Sequence, residues 1–129
     1  MGTRGRRLAV GIVDVGLIIG VLAWGLQIHG VDAFSTPSHL LMTTGPFLAG
    51  WLVAAPVIGT YGDHALAHPR RGLLITGGAW VIASVIGAAI RATPYVDGGA
   101  PLIFVAVVLG VGAMALLPWR LLVAVSARA

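Results

Sequence analysis

The sequence predicts an all-α integral membrane protein, an antiparallel bundle of four transmembrane helices with both termini in the cytoplasm. Three observations predict it. Four apolar runs each reach the roughly 20 residues that a helix needs to cross a bilayer. Only 9% of the 129 residues are charged and 58% are hydrophobic, whereas a soluble domain averages about 25% charged residues. Most of the surface must therefore meet hydrocarbon. The charges also gather at the ends of the runs: Arg4, Arg6 and Arg7 before the first, Arg70 and Arg71 between the second and third, Arg128 after the last. Arginine collects in cytoplasmic segments, and an even number of crossings returns the C-terminus to the side of the N-terminus.

The first span is expected at about 8–28. It follows an arginine cluster and resembles a signal peptide, but the apolar run is long and no A-x-A site follows, so it reads as a membrane helix. The second is expected at about 40–61, opened by "STPSHLL", where Thr36 can cap and Pro37 suits the first turn. The polar break "GDHALAHPRRG" separates it from the third, at about 72–92. The turn "VDGGAP" precedes the fourth, at about 101–125, with Pro101 opening that helix. Continuous rather than alternating apolarity argues for helices over a barrel. No linker divides the chain, so residues 1–129 form one domain in a multi-pass protein of the cell membrane.

Composition also excludes functions. The chain has no cysteine, which removes disulfides and thiol chemistry. The net charge of +4 comes from arginines at helix ends, not from a basic face with interleaved aromatics, so nucleic acid is not an expected partner. Neither glutamate nor lysine is present, and no serine or threonine has a supporting His and Asp, so no enzyme activity is expected. No motif asks for a cofactor. His64 and His68, four apart in "DHALAH", have the spacing of a metal pair, but no third ligand completes a zinc set. They read as loop residues facing lipid headgroups, and no metal is expected.

The most informative charge is Asp14, inside "GIVDVGLIIG". A carboxylate among aliphatic groups needs a partner. Asp14 lies six residues into the first span and Arg120 five residues before the end of the last, so each is about 7–9 Å deep at 1.5 Å per residue. First and last helices are neighbours in an up-down bundle. An Asp14–Arg120 ion pair near the cytoplasmic side follows, serving either as a tie between spans or as a group that binds a proton, cation or substrate. Arg91, at the outer end of the third span, is expected to meet Asp97 or Asp32 at the interface. Pro46 and Pro56 should loosen the second span, and Trp51 and Trp80 sit near mid-membrane. These four residues either line a cavity or fill the bundle. Gly16-x-x-x-Gly20 and the series Ala79, Ala83, Gly87 give two spans small-residue faces that allow close helix approach.

These segments resemble the domain-of-unknown-function family 3054, small multispanning prokaryotic proteins. The likeness rests on Asp14 in the first span, "PFLAGWLVAAPVIGTY" in the second, "RATPYVDGG" after the third and "PWR" in the fourth. It implies the four-span fold and singles out Asp14, Arg91 and Arg120, but supplies no activity. Two functions follow from the residues. One is a transport or permeation protein for a small solute or ion, acting as a homo-oligomer with the pathway between subunits. The alternative is a non-catalytic accessory or stabilising subunit among partner membrane subunits. Both have the lipid bilayer as solvent.

Overall fold

A computed structural model describes residues 3–28, 37–94 and 101–127. Helices α1 (Thr3–Ile28), α2 (Pro37–Ile58), α3 (Asp63–Leu66), α4 (Pro69–Arg91) and α5 (Leu102–Ser126) follow in order, and no strand occurs among the described residues. Four of them are long and apolar enough to cross a membrane. Each long helix packs on the next, and α5 closes the ring on α1. Diagonal pairs make no backbone approach, so the bundle is a square of antiparallel neighbours.

Local chemistry sets the ends. The second long helix stops at Ile58, three residues short of the apolar run's end, because Gly59 turns left-handed at φ 94°. The N–H groups of Gly59 and Thr60 both donate to the Ala55 carbonyl, at 3.1 and 3.0 Å. This is a glycine helix stop, and it turns Thr60 and Tyr61 back into the bundle instead of leaving them on a helix face. At the start of α4, Pro69 occupies the first turn, where a fixed φ is preorganised and the missing N–H costs nothing. The helix therefore begins three residues before the apolar run at Gly72. Pro101 stands just outside α5 as its N-cap, with ψ 143°.

The bundle is apolar on the outside and buries several polar and charged groups inside. Leu8, Ile12, Leu52, Val57, Leu74, Leu102 and Met114 are among the large exposed apolar side chains, while Asp14, Thr60, Thr76, Ser84 and Arg120 are fully or almost fully buried. That inversion is stable only where lipid covers the outer surface. The interior holds two apolar clusters. The larger contains Ile18, Phe47, Trp51, Trp80, Ala83 and Leu116. The smaller contains Val10, Leu66 and Val123 near the arginine-rich end. Tyr61 packs against both.

The two small-residue faces differ. Ala79, Ala83 and Gly87 are buried and bring α4 onto α2, where the backbone of Gly50 lies against that of Ala83. Gly16 and Gly20 have open space where a Cβ would stand, so that face meets no other helix among the described residues.

Candidate functional site

Asp14, on α1, is fully buried. Both carboxylate oxygens are doubly occupied. Arg120 of α5 donates from Nε to Oδ1 at 3.1 Å and from Nη2 to Oδ2 at 2.7 Å. The Trp119 indole N–H donates to Oδ1 at 3.1 Å and the Tyr61 hydroxyl to Oδ2 at 2.7 Å. The arginine contact is a bidentate fork, the strong form of a charge-assisted bond. Four donors fill about the number of acceptor sites a carboxylate has. Arg120 is 1% exposed. Its third nitrogen, Nη1, donates to the Thr60 carbonyl at 2.7 Å, and its guanidinium carbon lies 4.9 Å from the centre of the Tyr61 ring. The Tyr61 oxygen in turn accepts from Trp51 Nε1 at 3.1 Å.

The site thus joins three parts of the chain. Asp14 comes from α1, Trp119 and Arg120 from α5, and Thr60 and Tyr61 from the turn after Gly59. That turn leaves the Thr60 carbonyl outside any helical ladder, where Arg120 can use it. Closer to the arginine-rich end, Arg6 adds a parallel tie, donating to the Val123 carbonyl at 2.7 Å and to that of Leu66 at 3.4 Å.

The structure brings Asp14 and Arg120 together, and it adds Tyr61, Trp119 and Thr60, which sequence reasoning missed. Adjacent positions on a helix do not face the same way, so pairing Arg120 with Asp14 gave no reason to add Trp119. Here two long side chains reach the same carboxylate from both flanks of α5. The clue to Tyr61 was Gly59, a helix stop two residues earlier. Trp51 and Trp80 lie together in the core, ring centres 6.3 Å apart, and each is 1% exposed. Trp80 donates to the Leu109 carbonyl at 3.1 Å. These bulky rings fill the bundle. Pro46 is buried, whereas Pro56 is exposed on the outside of α2, so the two prolines do not face one site.

Among the described residues, Arg91 meets a backbone carbonyl and an aromatic ring. It is 7% exposed, donates to the Met42 carbonyl at 3.1 Å and lies 4.6 Å over the Phe104 ring. Met42 is four residues before Pro46, so its carbonyl lacks the N–H that a helix would supply; Arg91 replaces it. Asp97 and Asp32 lie outside the described residues. Substituting Pro46→Ala restores the backbone donor, so Arg91→Met should cost less in that background than in the natural chain. A double-mutant cycle followed by unfolding in detergent should read a coupling of about 0.5–1.5 kcal/mol, and a coupling of zero would detach Arg91 from the proline.

At the loop, His64 and His68 stack with ring centres 6.1 Å apart, and Arg71 meets His64 Nδ1 at 3.1 Å. Among the described residues no three His, Asp or Glu side chains group as a metal site.

No curated protein and no solved structure matches the chain. A family model described as "Protein of unknown function (DUF3054)" matches residues 11–123, a stretch that holds Asp14, Tyr61 and Arg120, and the chain belongs to that family.

Proposed function

We propose that this small multispanning membrane protein is a non-catalytic accessory or stabilising subunit of a larger assembly in the cell membrane, with both termini in the cytoplasm. The observation that carries the reading is the saturation of Asp14. Its oxygens accept from four donors and it is fully buried. A carboxylate that relays protons or ligates a cation needs an acceptor position it can give up. Here giving one up would strand a buried arginine or a part-buried indole or phenol, at up to about 1–3 kcal/mol for a neutral group and more for the charge. The group suits a fixed tie better than a moving part. The core beside it is packed with Phe47, Trp51 and Trp80, which supports the same reading.

The competing reading is a transport or permeation protein for a small solute or ion, acting as a homo-oligomer. One observation favours it: the acid lies within a span, and such acids commonly serve ion or proton pathways. The two readings separate in one experiment. Under the subunit reading, loss of the chain from cells lowers the level of a specific membrane complex, and the purified chain in liposomes gives no flux above empty vesicles. Flux through a homo-oligomer, abolished by Asp14→Asn while that variant stays folded, would overturn the subunit reading and establish the other.

A further inference from the structure

Two grooves flank the buried charges on the lipid-facing side. The one between α1 and α5 measures about 250 Å³, and Arg6 at its edge already donates to the Val123 carbonyl. The one between α1 and α2 measures about 410 Å³, within the usual range for a ligand site. Leu8, Gly11, Ile12 and Val15 of α1, Leu52 of α2 and the Tyr61 ring line it, with Arg7 at the end nearest the start of α1. Arg4 stands one turn before Arg7 and Leu8, on the same side of the helix, and is exposed.

We propose that this groove binds one anionic phospholipid, with its phosphate on Arg4 and Arg7 and an acyl chain along Gly11, Val15 and Leu52 against Tyr61. The inference is independent of the subunit reading. Charge complementarity carries it: the groove is apolar along its length and cationic at one end, as a headgroup followed by a chain requires. Basic pockets between membrane helices on the cytoplasmic side recognise such lipids. Gly11 shapes the groove, since a Cβ there would reach the Tyr61 ring at 3.6 Å, an ordinary contact, and a longer side chain would occupy the space. Arg7 also meets Asp63 at 3.4 Å, but this pair is open to water, with Asp63 83% exposed, so it is weak and a phosphate displaces it. The lipid would touch the ring of the residue whose hydroxyl holds Asp14, which places occupancy one bond from the buried ion pair.

The test uses the full chain in nanodiscs of equal phosphatidylglycerol and phosphatidylcholine, ejected and weighed by native mass spectrometry. The natural chain should retain phosphatidylglycerol preferentially. Each of Arg4→Gln and Arg7→Gln should lower that preference about fivefold, and both sites are exposed, so folding is not at stake. Asp63→Asn should raise it by freeing Arg7. Gly11→Leu should abolish retention of both lipids, while Gly110→Leu, placed in open space on α5, should leave it unchanged. Equal retention of the two lipids, persistence of phosphatidylglycerol in Gly11→Leu, or a second copy of the chain covering the groove would each overturn the proposal.

Discussion

Arg120→Met is expected to destabilise the bundle by about 3–5 kcal/mol, the usual result of removing one member of a buried ion pair. The variant leaves Asp14 fully buried with only the Tyr61 and Trp119 donors, and it leaves the Thr60 carbonyl without the bond it now receives at 2.7 Å. Asp14→Asn should be similarly severe, because an amide brings donors toward a guanidinium, an indole and a hydroxyl that all donate. The combination Asp14→Leu with Arg120→Met should cost clearly less than the sum of the single losses, since no lone charge remains, yet it should not return to the natural stability. Tyr61, Trp119 and Thr60 would each still lose a partner. Unfolding in mixed micelles, followed by tryptophan fluorescence, measures all of these. Single losses below about 1 kcal/mol would mean that the pair behaves like an exposed one.

The second large effect is expected at Gly50, whose backbone on α2 lies against that of Ala83 on α4. A Cβ at Gly50 would overlap the Ala83 carbonyl oxygen and crowd its Cα. Backbone atoms cannot turn aside as a flexible side chain can, so Gly50→Ala must push the helices apart. Overpacking of this kind costs about 1–3 kcal/mol, and it acts on the most extensive helix pair in the molecule. Gly16→Ala, with nothing within 4 Å of the new methyl, serves as the control. It should be neutral or stabilising by up to about 1 kcal/mol, because alanine is the better helix former. Equal stability of the two variants would contradict the close approach of α2 and α4.

The fold was readable because hydrocarbon is a demanding solvent. Apolar length and arginine position leave few arrangements for a chain with so few charges. Matching depths in the first and last spans were enough to pair Asp14 with Arg120, since each needed a partner and the ring topology made them neighbours. The rest of the site was not readable by the same rule. Tyr61 enters through a left-handed glycine whose consequence is geometric rather than compositional. Thr60 contributes its backbone carbonyl, an atom every residue has. One group that Arg91 uses is a carbonyl released by a proline on another helix, which no side-chain rule points to. Sequence reasoning pairs side chains with side chains, and it overlooks carbonyls that turns and prolines release.

Asp14 and Arg120 are separated by 106 positions along the chain, and this spacing has a consequence for synthesis. The first helix leaves the ribosome long before its arginine has been translated. Until α5 is delivered, the acid must remain in the protein-lined insertion channel or draw water after it. Arrival of α5 is thus the event that makes α1 comfortable in oil, and a chain cut short before it carries a built-in mark of its own incompleteness.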